Sequence, residues 1–245
     1  MFPIHDMNPT RSRPVVTIVL IVANALVFFA WQPDGGSPEE VEFLYERATV
    51  ACEVTTGDPL SAREVLTGAC SSSPDDSSLF PDKSVPFSVV TSMFLHGGLL
   101  HLAGNMWFLW VFGNNIEEAY GRIRYALLYV AAGVAATLAF VLLNSGNTQP
   151  LVGASGAIAG VLGAYLVLHP RKPVLSLVFV AVLPVPAAIF LGIWLLAQFA
   201  VMDGGVAWES HVAGFLFGML VTAVLREPLL RRIEELHGPS RAGAG

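Results

Sequence analysis

The sequence predicts an all-α membrane protein with six transmembrane helices and both termini in the cytoplasm. Three observations carry this reading. Of 245 residues, 54% are hydrophobic and 13% charged, about half the charged share of a soluble domain, and the mean hydropathy is +0.62. Six apolar runs are each long enough to cross a hydrocarbon layer, which takes about 20 residues with a range of roughly 17–25. Basic residues fall in every second connection between those runs. The net charge of −6 comes without a basic stripe, so the chain has no phosphate-binding footprint and nucleic acid is excluded as a partner.

Residues 1–14 read as a cytoplasmic N-terminal segment in which Arg11 and Arg13 precede the first span, Val15–Trp31. No small-residue cleavage site follows at Trp31-Gln32-Pro33, so the run reads as a retained anchor and not a signal peptide. Residues 32–86 form a long external loop in which Arg47, Arg63 and Lys83 are outweighed by acids. The two cysteines, Cys52 and Cys70, both lie in it with no histidine nearby, too few ligands for a tetrahedral zinc site. Outside the cytoplasm a disulfide between them is permitted. It would close a loop of 19 residues counting both ends, worth about 3 kcal/mol on a chain-entropy estimate; two free thiols are the alternative. The loop is otherwise expected to be too polar and too rich in Asp, Ser and Gly to fold strongly by itself.

Residues 87–225 hold the other five spans: Val89–Phe112, Tyr125–Leu143, Val152–Leu168, Pro186–Met202 and Val206–Leu225. The apolar piece Val174–Leu183 is cut off by Pro184 and Pro186, since proline removes a backbone donor and clashes with the preceding turn. It is expected to be an interfacial or re-entrant piece leading into the fifth helix. Arg122 and Arg124, then Arg171 and Lys172, then Arg226, Arg231 and Arg232 mark alternate connections, whereas Asn144–Leu151 is uncharged and Asp203 is the single charge in the last turn. The positive-inside rule therefore sets both termini in the cytoplasm. Residues 226–245 read as a cytoplasmic tail beginning with a basic amphipathic helix. No internal repeat of fixed period is visible, and one domain accounts for the chain.

Polar side chains within spans are costly, roughly 2.5–3.5 kcal/mol for a charge, and are functional candidates by default. Here they are His96, His101 and Asn105 in the second span, Ser155 at the head of the fourth and His211 near the head of the sixth. These three spans run in the same direction, so their polar groups share one outer layer, on the order of 10 Å deep at most. His101 and Asn105 are four apart and share a helix face. His211, Gly214 and Gly218 form one stripe, and the fourth span offers Ser155, Ala159 and Gly163 on one face and Gly156, Gly160 and Ala164 on the adjoining one. Small residues let membrane helices approach closely, so a tight contact between the fourth and sixth spans is expected. That approach would bring His211 within reach of Ser155. A serine hydroxyl becomes a nucleophile when a neighbouring base takes its proton, and the tetrahedral intermediate needs donors such as Asn105 and His101. No membrane-embedded carboxylate is available to orient His211, so the pair reads as a dyad. Singly, each element has a bland reading: serines in membrane helices back-bond to their own backbone, and His, Asn and GxxxG commonly serve as helix contacts. The combination in one layer is what points to chemistry.

The motifs then resemble a known family. Gly153-Ala-Ser155-Gly-Ala157 looks like the rhomboid nucleophile motif GxSGA, and His96-Gly-Gly-Leu-Leu-His101-Leu-Ala-Gly-Asn105 resembles the family's helix-2 motif. Gly113-Asn-Asn-Ile-Glu117-Glu-Ala-Tyr-Gly121 is similar to its GxxxExxxG turn, and Ser210-His211-Val-Ala-Gly214-Phe-Leu-Phe-Gly218 resembles the helix carrying the base. The resemblance covers roughly residues 85–225. It implies a rhomboid-like bundle and cleavage of single-pass transmembrane proteins in the lipid bilayer by Ser155 and His211. It further implies His101 and Asn105 at the oxyanion, and neither cofactor nor metal. Where relatives often carry a Trp-Arg pair before the second helix, this chain has Val85-Pro86-Phe87, which leaves Glu117 without that Arg partner. The Ala-, Val- and Arg-rich composition suggests a bacterial plasma membrane. A non-proteolytic rhomboid-like protein that routes client helices would lose the dyad, which is present here. A transporter would show inverted repeats, and an α/β-hydrolase needs Gly where Ala157 stands and a strand before the serine; no strand is expected anywhere.

Overall fold

A computed structural model describes residues 1–71, 77–200 and 207–238. Met202, Asp203 and Val206, expected at the junction of the fifth and sixth spans, and tail residues 239–245 lie outside the described residues. The elements are β1 (Phe2–Asp6), α1 (Val15–Ala30), α2 (Pro38–Arg47), β2 (Thr49–Val50), α3 (Ala51–Thr56), α4 (Ala62–Thr67), α5 (Val85–Thr91), α6 (Leu99–Tyr120), α7 (Arg122–Leu143), β3 (Pro150–Leu151), α8 (Ser155–Leu168), β4 (Pro173–Val178), β5 (Ala181–Pro186), α9 (Ala187–Phe199), α10 (Trp208–Val224) and α11 (Arg226–His237). Among the described residues, α7 alone is long and apolar enough to cross a membrane. Val85–Phe94 with Leu99–Tyr120, bent by 79°, and Trp208–Val224 with Arg226–His237, bent by 75°, qualify if each pair counts as one span. Helices α1, α8 and α9 are apolar but shorter.

The most extensive helix contact is α8 against α10. It rests on glycine. A Cβ on Gly214 would run into the Gly156 carbonyl, and one on Gly218 into the Gly160 carbonyl. Hydrocarbon tails are as apolar as leucine, so close van der Waals approach is what holds membrane helices together. Helix α7 packs across both, and Phe112, Tyr125, Tyr129, Tyr165 and Phe215 fill the surrounding core with no exposed surface.

Three expectations are corrected. The second span is not a single helix from Val89: α5 and a 3₁₀ turn (Ser92–Phe94) precede a sharp bend, and Gly98 at φ 143° launches α6 at Leu99. Helix α6 then runs on to Tyr120, so Gly113–Tyr120 is helix and not turn, with Gly121 as its cap. Its polar residues can be buried there because the N-terminal segment supplies partners. Val174–Leu183 forms the body of the β4–β5 hairpin that leads into α9, and β1 adds to it as a third strand in the order β1-β4-β5. The expectation of no strands therefore fails: a continuous apolar run does not distinguish strand from helix by period. The prolines suit this role. In a two-residue hairpin the pair flanking the turn is hydrogen-bonded, so alternate residues of β5, including Pro184 and Pro186, face the open edge. Proline has no N–H to leave unpaired there.

The 32–86 segment also folds more than its composition suggests. Helices α2, α3 and α4 surround a small core of Tyr45, Val50, Cys52 and Leu60. Ser61 and Glu64 form a capping box, and Cys52 is joined to Cys70 by a disulfide, with Cα atoms 5.7 Å apart. Lys83 Nζ pairs with Glu53 at 2.5 Å, both side chains 1% exposed, and also donates to the Tyr45 carbonyl. Burial pushes the Glu53 carboxyl up and the Lys83 ammonium down, each opposed by its partner. Through β2, paired with β3, this module is tied to the chain just before Ser155.

Candidate active site

Ser155 is the first residue of α8, following Gly153 at φ 125°. That conformation favours glycine, and a Cβ at position 153 would come within 2.8 Å of the His101 ring. His211 lies in the first turn of α10. Because the α8–α10 seam is narrow, His211 Nε2 reaches Ser155 Oγ at 2.7 Å. On the other side of the ring, His211 Nδ1 lies 2.7 Å from Gln198 Oε1. Gln198 stands in the last turn of α9, and its Nε2 donates to the Trp194 carbonyl one turn back at 3.0 Å. The Trp194 ring stands 6.2 Å from the imidazole.

His101 occupies the first turn of α6 and Asn105 the second. His101 Nδ1 accepts a long bond from the Gly97 amide at 3.4 Å. Asn105 is buried, and its Nδ2 has no hydrogen-bond partner among the described residues. An unpaired buried donor costs about 1–3 kcal/mol, so such a group calls for an explanation. His101, Asn105, Gly153, Ser155, Gln198 and His211 line one cavity of about 490 Å³. His96 lies outside α6, in the bend, fully buried. Its amide donates to Gln32 Oε1 at 3.1 Å, Gln32 Nε2 donates back to its carbonyl, and its Nε2 is unpaired among the described residues. Its ring packs edge-on to His101 at 5.2 Å.

The remaining motif residues lie elsewhere. Glu117, near the far end of α6, accepts from the amides of Val16 and Thr17 and from the Thr17 hydroxyl, at 2.8–2.9 Å. It thus satisfies first-turn donors of α1, where a negative charge suits the helix dipole, and no arginine is needed. Gly113 sits against Thr17 and Tyr125, and Gly121 caps α6 beside Arg232. Gly214 and Gly218 belong to the seam. The Cys52, Glu64 and Cys70 cluster, a grouping of metal-type ligands among the described residues, has its two sulfurs joined to each other. Gln198 is not among the residues that the sequence singles out. Its signal was there, an amide near the end of the fifth apolar run.

Known proteins share this sequence over most of its length. The Rhomboid domain family matches residues 84–228. The chain is 34% identical to "Rhomboid protease GluP" of Bacillus subtilis over 220 residues, 89% of this chain and 36% of that protein. It is 31% identical to "Rhomboid protein 1, mitochondrial" of Saccharomyces cerevisiae, covering 54% of this chain and 40% of the relative. With "Presenilin-associated rhomboid-like protein, mitochondrial" of Mus musculus it shares 30% identity, covering 63% and 45%. The chain spans less than half the length of each of these relatives.

Proposed function

The chain belongs to the rhomboid family, and from that premise we propose that it is an intramembrane serine endopeptidase with Ser155 as nucleophile and His211 as general base. The observation that carries this is the 2.7 Å contact between His211 Nε2 and Ser155 Oγ, in a cavity that also holds the unpaired amide of Asn105. As Oγ attacks a scissile carbonyl, Nε2 takes its proton and later returns it to the leaving amine; water then releases the acyl group by the same route. Charge grows on the carbonyl oxygen, and the Asn105 amide and His101 ring are the side-chain donors for it. A donor with no ground-state partner gives its full bond to the transition state, which is the condition for lowering the barrier.

The wider reading follows. Six spans with both termini in the cytoplasm put α6, α8 and α10 head-outward, which sets the dyad in the outer leaflet layer. Residues 87–225 then form the catalytic core, with the folded 32–86 segment outside. Substrates are single-pass transmembrane proteins whose helices unwind near the outer boundary, because a peptide bond in a regular helix is shielded from attack. A bacterial plasma membrane is the proposed location; "Rhomboid protease GluP" is from a bacterium, whereas the yeast and mouse relatives are named as mitochondrial. The test is labelling by a fluorophosphonate probe, paired with cleavage of a reconstituted transmembrane substrate. Both are expected to disappear in Ser155→Ala and in His211→Ala. Labelling without cleavage of any transmembrane substrate would favour a protein that holds client helices.

A further inference from the structure

Resting on that protease reading, we infer that Gln198 is a positioning residue for His211, holding its ring in the one tautomer that can act as base toward Ser155. The evidence is a chain of donors and acceptors. A side-chain amide has one acceptor oxygen and one donor nitrogen. The Trp194 carbonyl can only accept, so the Gln198 group facing it at 3.0 Å is the nitrogen. The oxygen is therefore the atom 2.7 Å from His211 Nδ1. An oxygen there requires a proton on Nδ1. Neutral imidazole carries one N–H, so Nε2 is left with its lone pair, facing Ser155 Oγ at 2.7 Å. The main chain of α9 thus dictates which nitrogen of a residue on α10 is basic. Gln198 is itself buried, which shields the bond from water.

Gln198 takes the place that a carboxylate holds in a Ser-His-Asp triad, with a consequence that differs. A carboxylate both orients the ring and stabilises the imidazolium that forms when the base takes its proton. An amide oxygen orients the ring but carries no charge. The ionisable group sharing the cavity with His211 is His101 of α6. Glu209, in the same first turn of α10, accepts instead from Asn144 at the end of α7. The α8 and α9 contributions to the cavity, Ser155, Trp194 and Gln198 among them, are uncharged. Among the described residues, no carboxylate lines it.

The experiment compares Gln198→Leu and Gln198→Glu with the parent and with Ser155→Ala, in the full chain in detergent or bilayer, on one transmembrane substrate across pH. Gln198→Leu is expected to lose about 10–1000-fold in kcat with KM little changed, since wrong-tautomer losses in a triad reach ~10⁴. Gln198→Glu keeps an acceptor at Nδ1 and is expected to recover much of that activity. Its added charge should shift the acid limb of the kcat/KM profile to higher pH, because a neighbouring anion favours the protonated ring. A merely structural glutamine would not move that limb. Wild-type kinetics in Gln198→Leu, with Ser155→Ala inactive, would overturn the positioning role and leave the protease reading intact. Activity in Ser155→Ala would instead remove the reading on which it rests. If Gln198→Leu fails to fold, Gln198→Glu decides alone: an acid limb unmoved from the parent's refutes the inference.

Discussion

The two ends of α6 each bury a polar cluster, and they differ in how completely it is satisfied. At the end remote from Ser155, Glu117 accepts three hydrogen bonds from α1. Glu118 accepts from the amides of Arg11 and Ser12 and pairs with His237 of α11. Asn115 bridges Asp6 and Asn8. At the other end Asn105 Nδ2 and His96 Nε2 have no partner among the described residues. The first cluster ties the N-terminal segment, α6 and α11 into one body. The second leaves the Asn105 donor and one His96 ring nitrogen open near Ser155 and His211, the proposed nucleophile and base. Buried polarity alone therefore does not set the two ends of α6 apart; they differ in whether the polar side chains named here are already paired.

The sharpest break comes from the open end. Ser155→Ala and His211→Ala are each expected to reduce cleavage by at least ~10⁴-fold with thermal stability close to the parent's. Members of a catalytic unit fail together, so the double variant should be no worse than either single. An additive double loss in a turnover assay would show that the two act separately. The paired end should respond in the opposite way. Glu117→Ala strands two backbone amides at a helix start, at roughly 1–3 kcal/mol for each orphaned group, while the Thr17 hydroxyl keeps only its longer bond to Tyr125 Oη. The expected result is a fall of about 3 kcal/mol or more in stability, with turnover per probe-labelled molecule unchanged. Glu117→Gln, which still accepts, should lose less. A large kcat effect in correctly folded Glu117→Gln would mean that the two ends are coupled.

How far this division was legible in the sequence varies by element. Ser155, His211, His101 and Asn105 stand out because each interrupts an apolar run at one depth, and an interruption is costly enough to need a reason. Gln198 interrupts a run as well. It is less visible because the shared depth emerges from the heads of three helices of common direction, whereas α9 runs the other way and brings its last turn, not its first, to that layer. The β4–β5 hairpin was hidden for a different reason. Pro173–Pro186 is apolar on both faces of each strand apart from Ser176, so no alternation advertises the pleat. The 32–86 segment hid its order in short-range devices. Helices of six residues such as α3 and α4 are below the length at which period is readable. Its capping box Ser61-x-x-Glu64 is a start signal that composition averages away. Glu117 was legible as a motif residue but not in its role, since two of its three partners are backbone amides of α1 and backbone leaves no trace in sequence.

Asn105 sharpens the comparison from inside the open end. Removing an already paired buried amide destabilises; removing an unpaired one does not. Asn105→Ala is therefore expected to leave the melting temperature unchanged or raised, while kcat falls by about 10–1000-fold, the scale of one lost oxyanion donor. A drop in stability with normal kcat would make Asn105 a helix contact and move it to the paired class.

The smallest effect expected is at the paired end and is read by pH. Asp6 lies in β1, outside the apolar helices, 4% exposed. Burial pushes its carboxyl up from 3.8 to about 6, against the amide of Asn8 and other groups that pull it down. A carboxyl whose folded-state pKa lies above its unfolded value binds its proton more tightly in the native chain. Its stabilising contribution is then complete below the unfolded pKa and is lost as pH rises through the folded one. For Asp6 that window runs from about pH 4 to about pH 6 and somewhat beyond. Asp6→Asn keeps the shape and an acceptor but cannot titrate. Relative to it, the parent is expected to lose about 1 kcal/mol between roughly pH 5 and pH 7.5, on the scale of ~1.4 kcal/mol for each tenfold change in proton affinity. Thermal unfolding of both proteins across that range, with hydrogen exchange of the β4 amides to locate the change, reads the difference. A difference that stays flat with pH would mean that Asp6 is hydrated in solution. β1 would then not be docked on β4, and the paired end would be less closed than its hydrogen bonds imply.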